Sequence, residues 1–148
     1  MNSKQANIVR ADMLVTEPHG SPLLVVETKR RRIDQAVRRQ LEDAVTSVRP
    51  AFVMTVDPDQ IVVAPTHNGT VDWGHSITLI TAAILGQYAD VPNFDRMEGF
   101  YLETLVEAWL RDLAQGWKSA RPPGYQELEG IGLAARLRGS EVHAEAQL

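Results

Sequence analysis

Apolar and polar positions alternate, run together or recur at helical spacing in a sequence of blocks that divides the chain into elements. Two runs, Ile8 to Val15 and Pro22 to Lys29, flank Glu17-Pro18-His19-Gly20-Ser21, whose proline and glycine suit a tight turn, so a β-hairpin is predicted. Leu23-Leu24-Val25-Val26 is continuous apolar sequence, as in a strand covered on both faces. From about Ile33 to Val48 the period changes to that of a helix. At about 100° per residue Ile33, Ala36, Val37, Leu41, Ala44, Val45 and Val48 form one stripe, and Gln40 falls inside it, about 20° from Ile33, which predicts partial burial. A strand follows at Ala51 to Val56, then a turn at Asp57-Pro58-Asp59. Ile61 to Ala64 reads as a further strand, at a sheet edge because of Pro65. His67-Asn68-Gly69-Thr70 carries an Asn-Gly hairpin signal, with Val71-Asp72-Trp73 as the return strand.

The second half is more apolar and less patterned. Ser76 is placed to cap a helix over residues 76–88 that is apolar nearly all round, and a homodimer through it is an expectation. A longer helix from about Glu98 to Ala120 has a stripe of Leu102, Leu105, Val106, Trp109, Leu110, Leu113 and Trp117, while Glu98, Glu103 and Glu107 are expected in solvent. Arg121-Pro122-Pro123-Gly124 interrupts the chain. The last segment reads as a short helix ended by Gly139 and a strand from Glu141 to Ala146, or else as a hairpin about Gly139-Ser140 pairing Leu137 with Val142. The alternation of strands and helices predicts one α/β domain over residues 1–148, with a mixed sheet of about four to six strands flanked by helices.

The chemistry concentrates at the open end of the first hairpin. With the turn centred between His19 and Gly20, Asp12 lies opposite Glu27, and Lys29 projects from the same face as Glu27. An ion cluster in which two acids and a lysine neutralise one another is one reading. A second is a site for a hard cation, since facing carboxylates hold Mg²⁺ with carbonyl and water oxygens completing its shell. A lysine beside such a cation can position or deprotonate water.

Ala11-Asp12 on one strand, Glu27-Thr28-Lys29 on the next, then an amphipathic helix and a strand together resemble the PD-(D/E)xK nuclease superfamily, of restriction-endonuclease-like fold. The resemblance covers roughly residues 8–56, with Ala11 where the family often has proline. It implies a Mg²⁺- or Mn²⁺-dependent nuclease acting on DNA or RNA, with Asp12, Glu27 and the Thr28 backbone carbonyl as metal ligands. Lys29 would activate the attacking water, assisted by Gln40. Some branches follow that glutamine four residues later with tyrosine, where this chain has Ala44. A catalytically inactive nuclease-fold module for nucleic-acid binding or assembly is the alternative. Members commonly carry a helix and a strand ahead of the Asp-bearing strand, and fewer than a dozen residues precede Asp12 here. Those elements are dispensed with, borrowed from another subunit, or replaced by the C-terminal helix and strand. The last option places the C-terminal strand beside the Asp12 strand.

Composition narrows the setting. The 148 residues are 44% hydrophobic, enough for a real core, and contain no cysteine, which excludes a disulfide framework and thiolate zinc sites and makes a cytoplasmic setting the expectation. No run has the length of a membrane span. The net charge of −4 argues against gripping nucleic acid over the whole surface. Arg30, Arg31, Arg32 and Arg39 nevertheless concentrate positive charge beside the proposed site, as a phosphate-facing rim with Arg38 among them. His67 and His75 lack a repeated ligand spacing and read as loop histidines.

Overall fold

A computed structural model describes residues 10–89 and 99–147. Strand β1 (Arg10–Thr16) turns through Glu17–Ser21 into β2 (Pro22–Thr28), α1 (Gln35–Val48) crosses over to β3 (Phe52–Val56), and β4 (Gln60–His67) returns antiparallel to β3. The pairing of β2 with β3 is parallel, as a helical crossover requires. Next come β5 (Thr70–Val71), a 3₁₀ turn at Trp73–His75, β6 (Ile77–Ile80) and the short α2 (Thr81–Leu85). The chain then runs through α3 (Gly99–Gln115), α4 (Tyr125–Gly130), α5 (Ala134–Leu137) and β7 (Glu141–Gln147). The result is a mixed α/β fold with seven strands and five α-helices among the described residues, one strand more than the upper expectation. None of these helices is long and apolar enough to cross a membrane.

The strand order is β5-β4-β3-β2-β1-β7, with β6 also on the outer edge of β4. The apolar run of β2 is therefore central, and Leu23 to Val26 have no exposed surface. On one face Met13, Val15, Leu24, Val26, Met54 and Val63 pack against α2 to α5, chiefly through Leu102, Val106, Trp109 and Leu110 of α3. On the other face Val25, Val53 and Ala64 pack against Leu41 and Val45 of α1. Only the second half of the expected α1 stripe is deeply buried. Its first turn is held instead by the Asp34 side chain, which accepts the Val37 N–H at 3.1 Å. Gln40 is exposed, contrary to the burial expected from its position in the stripe, because α1 meets the sheet through Leu41, Ala44 and Val45 and not through its first turns.

Three other expectations change. Residues 76–88 are not one helix: Ile77 to Ile80 pair with β4 from Val63 to Gln60, and only Thr81–Leu85 is helical. The β-branched Ile77, Thr78 and Ile80 suit that pairing. The Thr81 hydroxyl fixes the junction by donating to the Asp57 carbonyl at 2.8 Å. The single apolar helix over residues 76–88 on which a homodimer was expected is thus a strand followed by a short helix. Pro65 does not mark an edge strand, since β4 has partners on both sides; it falls where β6 pairing has ended at Val63 and β5 pairing has yet to begin at Thr66. The return strand β5 stops at Val71, and Trp73 belongs to the 3₁₀ turn. Finally, α3 ends at Gln115, where Gly116 takes a positive φ and donates to the Asp112 carbonyl, so Trp117 leaves the stripe and is 55% exposed. Glu98 lies outside the described residues.

At the C-terminal end a short helix, α5, does precede a strand, and β7 runs antiparallel to β1 from Thr16↔Glu141 to Arg10↔Gln147. The C-terminal strand thus lies beside the Asp12 strand, and α3 packs on β7.

Candidate metal centre

The β1–β2 register runs through Val15↔Leu24, Leu14↔Val25 and Met13↔Val26, so its continuation brings Asp12 to Glu27. Beyond Met13 the carboxylates themselves join the strands. Oδ2 of Asp12 accepts both the backbone N–H of Thr28, at 2.7 Å, and the Thr28 hydroxyl, at 3.0 Å. Both donors fall on one oxygen, and Oδ1 carries no hydrogen bond from a described residue. Thr28, which the motif singled out for its carbonyl, thus holds Asp12 through its amide and its hydroxyl.

Glu27 follows Val25 by two residues and so belongs to the sheet face that carries α1. Its side chain is 12% exposed, and Nζ of Lys29 stands 3.7 Å from Oε2. Burial raises its carboxyl, and the neighbouring charge of Asp12 raises it further, to about 7. The Lys29 ammonium and the Asp12 backbone N–H oppose this without cancelling it. Lys29 is partly open to solvent and is fixed through its backbone, whose N–H donates to the Val56 carbonyl at 2.9 Å.

A buried residue that sequence reasoning assigned only to a turn organises the next stretch. Asp57 follows β3 and has no exposed surface. Its Oδ2 accepts the Ile33 N–H at 3.1 Å, while Oδ1 accepts those of Asp59 and Gln60 at 2.8 and 2.9 Å. The loop from Lys29 to α1 is thereby tied to the end of β3. Asp-Pro-Asp carried the signal, because an aspartate opening a turn caps the amides two and three residues on. The contact to Ile33 has no local signature.

Arg30, Arg31 and Arg32 are exposed on this loop and Arg39 is exposed on α1, as a rim requires. Arg38 is used otherwise: its guanidinium lies 4.6 Å from the centre of the Trp73 ring, whose N–H donates to Glu42 at 2.9 Å. Gln40 forms no hydrogen bond with Asp12, Glu27 or Lys29. His67 and His75 are both committed to Asp72, at 3.2 and 2.7 Å from its Oδ2.

The donor chemistry of Asp12 and Glu27 fits a hard, oxygen-seeking cation. The charge of Asp12 raises the Glu27 carboxyl, the partly solvated Lys29 ammonium stands 3.7 Å from Glu27, and a cation between the acids would relieve the repulsion that remains. The described residues contain no cluster of three or more His, Cys, Asp or Glu side chains able to hold a metal. A cation here would rest on two carboxylates plus carbonyl and water oxygens, which is how Mg²⁺ is commonly held beside a phosphate. No protein family, curated protein or solved structure matches the chain.

Proposed function

We propose that this chain is a Mg²⁺- or Mn²⁺-dependent nuclease of the PD-(D/E)xK type, hydrolysing phosphodiester bonds of DNA or RNA. The observation that carries the reading is the meeting of Asp12, Glu27 and Lys29 at the open end of the hairpin, with Nζ of Lys29 3.7 Å from the Glu27 carboxylate. In this reading Asp12 and Glu27, with the Thr28 carbonyl, would hold the cation. Bound there, it would supply Lewis-acid polarisation of the phosphate and lower the pKa of water.

The chain's own residues divide the remaining work. Thr28 orients Asp12 through two hydrogen bonds to one oxygen and leaves the other available. Lys29 presents its ammonium to orient the attacking water and to offset charge developing on the phosphate. Glu27, with a carboxyl near 7, exchanges its proton for the cation across the neutral range. Arg30, Arg31, Arg32 and Arg39 meet the phosphates on either side. A restriction-endonuclease-like arrangement receives support from β7 pairing with β1 and from α3 packing on β7, which in this reading would replace the family's leading helix and strand. Gln40 keeps no place in the mechanism.

The exposure of Gln40 and its lack of contact with the acids favour a second reading, a nuclease-fold module without catalysis that binds nucleic acid or organises an assembly. Incubation with single- and double-stranded DNA and RNA, with Mn²⁺ and with chelator, separates the two. The nuclease reading expects a chelator-sensitive cut that disappears in Lys29→Ala. Cleavage unchanged by that substitution would remove the assignment, and Mn²⁺ binding without any cleavage would favour the inert module.

A further inference from the structure

At the turn end of the β1–β2 hairpin, away from Asp12 and Glu27, an open cleft of about 680 Å³ lies between the Glu17–Ser21 turn, the end of α1 and the β4–β5 turn. Its lining includes Arg49, Asn68, Ser21, His19, Glu17 and Arg136. Glu17 is already satisfied: Arg136 donates to its two oxygens at 2.8 and 3.2 Å, which holds its carboxyl below the usual range. Arg49 is not. Its guanidinium, exposed at the C-terminal end of α1, makes no hydrogen bond or ion pair with any described residue, so it is the cation in the cleft left open to a ligand. The Ser21 hydroxyl and the Asn68 amide are likewise without partners among the described residues.

The backbone adds an independent observation. Arg49 and Asn68 are the two non-glycine residues at positive φ among the described residues, at 56° and 54°, and both line this cleft. Asn68 has a local reason, the Asn-Gly turn. Arg49 caps α1 in the left-handed conformation, where glycine is the ordinary choice. A cation suits that end of the helix, and the Arg49 side chain lies against Gly69 at the wall of the cleft.

We infer that this cleft binds a small organic phosphate, with the phosphate on the Arg49 guanidinium and the Asn68 and Ser21 donors at its sides. Three donors from three separate segments suit the several oxygens of a phosphate. The volume lies within the range of about 300–1,000 Å³ typical of sites for small organic ligands, which leaves room for more than the anion. The inference is independent of the nuclease reading.

The test uses calorimetric titration of the full chain with adenosine 5′-monophosphate, inorganic phosphate and adenosine. Arg49→Gly and Asn68→Gly each remove a side chain while suiting the backbone, so lost binding is separable from lost folding. The monophosphate is expected to bind the wild type, with affinity at least tenfold lower in Arg49→Gly and severalfold lower in Asn68→Gly, while the melting temperature of Arg49→Gly is unchanged or higher. No binding by the wild type, undiminished binding by Arg49→Gly, or adenosine binding as tightly as its monophosphate would overturn the site. Inorganic phosphate binding as tightly as the monophosphate would keep the anion site and overturn its organic part.

Discussion

Replacing Glu27 with glutamine should stabilise the metal-free protein, and only at neutral and alkaline pH. A carboxyl raised from 4.5 to about 7 carries about 3 kcal/mol against its charged form, at about 1.4 kcal/mol per pH unit. Below pH 4.5 both folded and unfolded chains hold the proton and stability is full. As pH climbs toward 7 the unfolded chain releases the proton while the folded chain keeps it, so stability falls, and above 7 the whole penalty stands. Glutamine keeps the shape and removes the charge. Urea denaturation with chelator should therefore give Glu27→Gln an advantage of about 2–3 kcal/mol at pH 8.5 and close to none at pH 4.5. Adding Mn²⁺ at pH 8.5 should restore the wild type, by about 2.7 kcal/mol at a hundred times its Kd, and leave the variant unmoved. Parallel pH profiles for the two proteins would refute the account of Glu27 as a carboxylate strained by burial and by Asp12.

Lys29→Ala removes the one cation that opposes the rise at Glu27, so besides losing cleavage it should steepen the fall in stability between pH 5 and 8; an unchanged pH profile would show that the 3.7 Å contact has no electrostatic weight. Thr28→Val deletes one of two hydrogen bonds to Asp12 at a cost of about 1 kcal/mol and should weaken Mn²⁺ binding measured by calorimetry, while Thr28→Ser should not; equal affinities would dismiss Thr28 as a positioning residue. Asp57→Ala strips partners from three amides around a carboxylate with no exposed surface and should cost about 2–4 kcal/mol in urea denaturation, with faster amide exchange at Ile33; a loss below about 1 kcal/mol would contradict its role as the tie between the Lys29 loop and β3.

The elements that were legible in the chain are those whose determinants lie within a few residues of one another. Past a register shift between Val15 and Thr16 that the turn does not announce, the period of two carries Val15↔Leu24 on to Asp12 and Glu27, while the turn residues around Gly20 set the hairpin itself. Asn68-Gly69 and Gly139 work the same way, each holding a positive φ at a reversal or helix end. What local pattern cannot reveal is which partner an apolar segment will meet. Residues 77–85 have helical apolar spacing, but β4 leaves an unpaired edge beside them, and ladder hydrogen bonds to that edge outweigh the helical period for four residues. Gln40 shows the same limit from the other side: its angle on α1 was readable, but how far the sheet extends beneath it depends on where Leu41 and Val45 meet Val25 and Val53. The acid pair belongs to the legible part and the cradle that fixes it does not. The bonds from Thr28 to Asp12 and from Ile33 to Asp57 join residues 16 and 24 positions apart, and such contacts arise only once the hairpin and the β2–α1–β3 crossover have closed. The site's charges are thus written along β1 and β2, while the geometry that gives those charges a use comes from β3 and the loop it anchors.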